Sequence, residues 1–221
     1  MSSRTRWTAL GLVVAAGACN DIAPPIRSDF YEWRRVEPAQ GGGEDSLSFH
    51  WPANRLPVRV WVEDDASLPE NVPQAIAAWR AAFLYGEFDA RVVSDSSAAD
   101  VIVRAGPAPA TEFSRVRLPS ALAPQCTGAT DINVTDDHTR LLLPIRIYVD
   151  PHSDPNAPNL AECLALTTTH EMGHALGIWR HSDDPADLMF MDPQVPGPDE
   201  RDLATAEVLY HLPANVQPVG P

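Results

Sequence analysis

The sequence predicts a mixed α+β domain, a twisted mixed sheet covered by long helices, on three observations. Val58, Val60 and Val62 alternate with Arg59 and Trp61, the period-two pattern of a strand. Ile76, Trp79, Ala82 and Phe83 recur three or four apart, the stripe of an amphipathic helix. The remaining apolar segments continue the order strand, helix, strand, strand, strand, helix, helix, which fits a sheet with helices packed on it. Hydrophobic residues at 44% and charged residues at 21% suit a globular core, and 221 residues suit one domain with an N-terminal extension.

The first residues stand apart. Arg4 and Arg6 precede an uncharged, largely apolar run from Trp7 to Ala18. That run falls short of the roughly 20 residues a membrane-spanning helix needs and has the layout of a secretory signal peptide, placed at residues 1–18. It ends in Ala16-Gly17-Ala18-Cys19, which resembles the lipobox of bacterial lipoproteins. The resemblance implies an exported protein held at the cell envelope through an acylated Cys19. The alternative is an ordinary signal peptide cut near Ala18, giving a secreted soluble protein. Residues 19–45 read as a tether, with Pro24-Pro25 stiff and Gly41-Gly42-Gly43 flexible. Phe30, Tyr31 and Trp33 within it are apolar enough to dock on the domain, which is assigned to residues 46–215.

The first helix is expected over Gln74 to Tyr85, with Pro73 near its first turn and Gly86 ending it. Strands follow at Phe88 to Val93, Val101 to Arg104 and Ile145 to Val149. Residues 105–140 carry no clear period and receive no element. Asn159 and Glu162, three apart before an apolar stretch, have the form of a capping box opening a helix from Leu160 to about Gly177. A last helix is expected from Glu200 to His211, between Pro198 and Pro213.

The formal net charge is −14. No cluster of Lys and Arg offsets it, so nucleic acid is excluded as a partner. With Cys19 assigned to the anchor, Cys126 and Cys163 remain, an even pair in an exported chain and so a candidate disulfide closing a loop of about 37 residues. Ligation of a metal by one of them is the competing reading.

The chemistry sits in His170-Glu171-Met172-Gly173-His174-Ala175-Leu176-Gly177-Ile178-Trp179-Arg180-His181-Ser182. Histidines four apart on a helix project from one face and can grip one ion. Glu171 stands next to the first ligand, placed to reach a metal-bound water without ligating. Gly177 can stop the helix and turn the chain back, so that His181 returns as a third ligand. Three neutral imidazoles with an open fourth position describe a catalytic Zn2+ site.

Eight residues past His181 lies Met189, after Asp187-Leu188. The whole pattern resembles the metzincin clan of zinc metalloproteases, whose methionine turn underlies the zinc site. Within the clan it is most similar to the matrixins, in the wording of the helix, the His181-Ser182 pair and the position of Met189. Segments Ala77 to Trp79, Ala99 to Val103, Ile145 to Asp150 and Glu200 to Tyr210 look like matching matrixin segments, so the resemblance spans roughly residues 46 to 212. It implies a zincin-like catalytic domain and hydrolysis of peptide or protein substrates, with the substrate extended along a sheet edge and Glu171 as general base.

Three departures stand out. Gly177 and His181 are separated by three residues where the family has two, which leaves Asp183 or Asp184 as fallback ligands. Phe190 stands where many relatives carry Tyr. No cysteine lies between Cys19 and Cys126 to block the metal. His152-Ser153-Asp154 resembles the start of the matrixin structural-zinc loop but lacks its further histidines and reads as a solvated loop. Asp64-Asp65, Asp136-Asp137 and Asp183-Asp184 are the pairs a Ca2+ site would draw on, though single acidic pairs are ordinarily surface. A second function class is a catalytically silent zinc-fold lipoprotein that binds a peptide or protein partner; intact Glu171 argues against it. Nothing points to an oligomer, and a monomer is the default.

Overall fold

A computed structural model describes residues 29–65, 67–109, 116–120, 126–151 and 159–220. The expected signal peptide, Cys19 and His152-Ser153-Asp154 lie outside these residues. The chain order is β1 (Arg35–Pro38), β2 (Glu44–Leu47), β3 (Val58–Val62), α1 (Leu68–Arg80), β4 (Ala90–Val93), β5 (Val101–Ala105), β6 (Val116–Ser120), β7 (Cys126–Val134), β8 (Arg140–Pro151), α2 (Leu160–Leu176), α3 (Glu200–His211) and β9 (Gln217–Val219).

The expected α+β class is observed: a mixed sheet with three helices among the described residues. The sheet runs β4-β3-β5-β8-β7-β6, with β9 beside β8. Strands β4, β3, β5 and β8 are parallel neighbours, whereas β7 is antiparallel to both β8 and β6. Pro144 falls within β8 but has no N–H for the ladder. It sits where Leu143, Pro144 and Ile145 lie opposite the single Ile132, between the pairs Arg146–Asp131 and Leu142–Asn133. An irregular point of this kind is where a strand interior tolerates proline.

Helix α2 is the centre of the molecule; from Thr167 to Leu176 every residue is buried. Its polar side chains therefore need partners inside. Thr167, Thr168 and Thr169 donate to the carbonyls of Cys163, Leu164 and Ala165 at 2.8, 2.7 and 2.9 Å, one turn back. The last carbonyls of a helix have no intrahelical donor. Here Trp51 Nε1 donates to the Ala175 carbonyl at 3.0 Å and the Tyr210 hydroxyl to that of Leu176 at 3.3 Å. Trp79 of α1 donates to the Thr169 carbonyl at 2.8 Å, tying α1 to α2.

Of the aromatic residues expected to dock from residues 19–45, Tyr31 and Trp33 are core residues at 5% and 2% exposure, whereas Phe30 is exposed. The β1–β2 hairpin spans residue 46. Two expectations about helix starts are corrected. Helix α1 begins at Leu68, not Gln74, because Pro69 serves as its first-turn proline; Pro73 lies inside, where its missing N–H would have faced the Pro69 carbonyl. Asn159 does cap α2, but in the left-handed conformation (φ 68°) and without a side-chain hydrogen bond, so no capping box forms there. The capping box is on α3, between Asp199 and Asp202.

Candidate metal centre

Helix α2 presents His170 and His174 on one face, and the chain after Gly177 brings His181 to them. Gly177 has φ 133° and no room for a side chain, since a Cβ would stand 2.2 Å from the Phe49 carbonyl oxygen. The longer Gly177–His181 connection is held at its first two residues. Ile178 N donates to the Gly173 carbonyl at 3.1 Å and Trp179 N to the Trp33 carbonyl at 2.9 Å. The Trp179 ring turns inward, stacked on Phe49 at 5.4 Å, while Arg180 faces solvent. The extra residue is thus taken up by an inward tryptophan, and His181 still arrives. Asp183 and Asp184 do not take its place: both pair with Arg201, at 3.0 and 3.5 Å.

The three histidines converge through their ring nitrogens. His170 Nε2 lies 3.1 Å from His174 Nε2, which lies 3.2 Å from His181 Nε2. His170 Nδ1 is 2.7 Å from the Leu188 carbonyl and His174 Nδ1 is 2.6 Å from the Ile178 carbonyl. A carbonyl only accepts, so each Nδ1 carries the proton and each Nε2 is left with a lone pair. Burial, with the other histidines adding to it, holds His170 down at about 3 and His174 well below the usual imidazole value. Burial and then Arg35 hold His181 down at about 4. At neutral pH two lone pairs, on His170 and His174, therefore face each other in a buried space with the neutral His181 ring beside them, an arrangement that a cation relieves. This group could hold a metal ion.

The support beneath it is continuous. Met189 is fully buried under α2, and a Cβ on Gly173 would collide with its sulfur and with the Trp79 ring. The Leu188 carbonyl orients His170, and the Leu188 and Met189 amides donate in turn to Asp202 at 2.7 and 3.3 Å. Tyr31 completes the set, its hydroxyl donating to Asp202 at 2.7 Å. Ser182 N donates to the Met189 carbonyl at 2.9 Å and the Ser182 hydroxyl to Asp187, closing the loop between His181 and Met189. The Asp187, Asp199 and Asp202 carboxylates also cluster, but backbone amides, Ser182 and Arg201 occupy them.

Glu171 is fully buried one residue from His170, on the side of α2 that meets β7. Its Oε2 accepts from the Thr130 hydroxyl at 2.7 Å. Beside His181 a cleft of about 270 Å³ is lined by Phe30, Tyr31, Arg180, Asp183 and Arg201. Cys126 and Cys163 are joined as a disulfide between β7 and α2, and neither is near the histidine group. Phe190 is half-buried after Met189 and brings no hydroxyl.

The structure thus brings His170, His174 and His181 together, with Glu171 alongside. Thr130, Tyr31 and Asp202 are the residues that sequence reasoning missed. The first lay in the stretch without a clear period. For Asp202 a signal was present, since Asp199 and Asp202 stand three apart at a helix start. A scan against protein-family models finds no match to this chain, and a search of curated proteins finds none either.

Proposed function

We propose that this chain is a zinc-dependent endopeptidase with a zincin-like, matrixin-type catalytic domain, exported and anchored at the cell envelope through Cys19. The observation that carries the reading is the triangle of Nε2 atoms, 3.1 and 3.2 Å along its two measured sides, with both Nδ1 atoms of the helix pair fixed on carbonyls so that their Nε2 atoms are free of protons. Nitrogens bound tetrahedrally at about 2.0–2.1 Å from zinc stand about 3.3 Å apart, so the donor set fits that ion with little adjustment. Imidazoles oriented by a carbonyl on their second nitrogen are the usual support of such a site. Three neutral ligands with an open position, rather than four closed ones, favour catalysis over a purely structural role.

Zinc held there supplies Lewis acidity, lowering the pKa of water to about 7 and polarising a peptide carbonyl. The protein's own residues do the rest. Glu171 accepts the proton of the water as its oxygen bonds to the carbonyl carbon, then returns it to the amine nitrogen as the C–N bond breaks. The cleft beside His181, the one partly exposed histidine of the three, is the side from which a polypeptide would approach in this reading.

The test is cleavage of a peptide library by the zinc-loaded protein, with and without chelator, alongside Glu171→Gln and His174→Ala. Chelator should abolish cleavage, Glu171→Gln should keep its zinc and lose about 10²–10⁴-fold in rate, and His174→Ala should lose the metal. Full zinc occupancy in His174→Ala, or undiminished cleavage by Glu171→Gln, refutes the proposal.

A further inference from the structure

Strand β7 and helix α2 meet along a seam whose two spacings keep step. Two strand residues advance about 6.6 Å and four helical residues about 6.0 Å. Cys126, Gly128 and Thr130 therefore fall on one face of β7 opposite Cys163, Thr167 and Glu171 on one stripe of α2. The first pair is the disulfide. In the middle, a Cβ on Gly128 would stand 2.6 Å from Thr167 Cγ2 and 2.3 Å from Glu171 Oε1. At the last step the Thr130 hydroxyl donates to Glu171 Oε2 at 2.7 Å and also lies 3.2 Å from the Glu171 backbone carbonyl.

A fully buried carboxylate is costly unless it is hydrogen-bonded, and a hydroxyl donating to it makes a charge-assisted bond. Thr130 is itself fully buried, so its hydroxyl has no water to turn to. Gly128 supplies room and Thr130 supplies a fixed donor, and together they set the rotation of the Glu171 carboxylate. We infer that Thr130 is the positioning residue for Glu171, holding the general base in its working orientation, with Gly128 as the space that permits it. The inference rests on the protease reading above. The hydroxyl does not touch the substrate; it acts through the carboxylate.

The experiment uses the full zinc-loaded chain and four variants: Thr130→Val, Thr130→Ser, Glu171→Ala and the double variant Thr130→Val/Glu171→Ala. Thr130→Val keeps the shape and removes the hydroxyl, and should lower kcat about tenfold to hundredfold, the loss expected of a misplaced catalytic group, with KM and zinc content unchanged. Thr130→Ser keeps the hydroxyl and should restore kcat. Thermal unfolding of the same proteins, stripped of metal, reads the contact without reference to activity. Thr130→Val should lower Tm when Glu171 is present and lower it less when Glu171 is Ala. Additive Tm shifts overturn the contact. Wild-type kcat in Thr130→Val, or an impaired Thr130→Ser beside an unimpaired Thr130→Val, overturns the positioning role, since packing of the methyl would then be what matters. A wild-type chain that cleaves no peptide overturns the protease reading and the catalytic role with it, and is told apart from failure of the contact by the unfolding cycle.

Discussion

The sulfur of Met189 lies 2.5 Å from the point where a Cβ on Gly173 would stand, and Trp79 Cζ2 lies 2.6 Å from the same point. The glycine between the two helix histidines is thus a packing requirement. Gly173→Ala gains up to about 1 kcal/mol of helix propensity but forces apart a filled core, which costs about 1–3 kcal/mol. The net effect should be lower stability in urea unfolding and weaker metal retention. In a Met189→Ala background, which removes the sulfur that the new methyl meets, the same Gly173→Ala change should cost less.

Tyr31 and Asp202 form a second testable pair. Burial pushes the Asp202 carboxyl up to about 6, against the hydrogen bonds from Tyr31, Leu188 and Asp199 that pull it down. A carboxyl raised above its unfolded value favours folding below about pH 4 and loses that contribution as pH rises through about 6. Tyr31→Phe removes one of the restraining bonds. It should lower stability by about 1.5–3 kcal/mol, the worth of a hydrogen bond to a charged group. It should also move the upper end of the pH window higher, which a series of Tm measurements from pH 4 to 8 would read.

The histidines give a dependence of opposite sign. His170 and His181 are held at about 3 and about 4, below the usual imidazole value, chiefly by burial. The metal-free protein should therefore be most stable above about pH 6.5 and lose stability as pH falls toward 4, because the unfolded chain takes up protons that the folded one refuses. His181→Gln should flatten part of that slope. Thermal unfolding in the presence of chelator measures it directly.

The Cys126–Cys163 bond spans a Cα–Cα distance of 6.1 Å and closes a 37-residue separation. Replacing both cysteines by serine should cost roughly 3–4 kcal/mol on chain-entropy grounds. The bond is also the first rung of the seam that ends at Glu171. The loss should therefore appear in kcat as well as in the unfolding midpoint, and a reductant titration of the wild-type protein should reproduce both.

The histidine group was legible in the sequence because a single run of the chain from His170 to Ser182 carries all three histidines, and helical geometry relates the first two without help from the fold. Helix α3 was legible to its ends because Pro198 and Pro213 bracket it. What could not be read were contacts made at long range. Thr130 and Glu171 are 41 residues apart and Tyr31 and Asp202 are 171 apart, and neither pair leaves a local pattern. Strand β7 was missed for a related reason: Cys126, Gly128 and Thr130 face a helix at close quarters, so they are small, and small residues blur the apolar alternation by which a strand is recognised. The β1–β2 hairpin left no signal beyond its glycines, which also suit a flexible linker; Gly42 and Gly43 are turn positions at φ 86° and 91°.

The irregular stretch of β8 bears on where this domain tolerates length variation. Leu143, Pro144 and Ile145 face Ile132 just beyond the last rung of the seam, and it is β8 that carries the surplus, not β7. One residue inserted between Cys126 and Thr130 would exchange the two faces of β7 and turn Ala129 or Asp131 toward α2. A residue added between Leu142 and Ile145 would fall where β8 already carries the surplus and leave the rungs of the seam in place. An added residue should therefore cost less at that point of β8 than between Cys126 and Thr130 of β7, although the two strands are hydrogen-bonded neighbours.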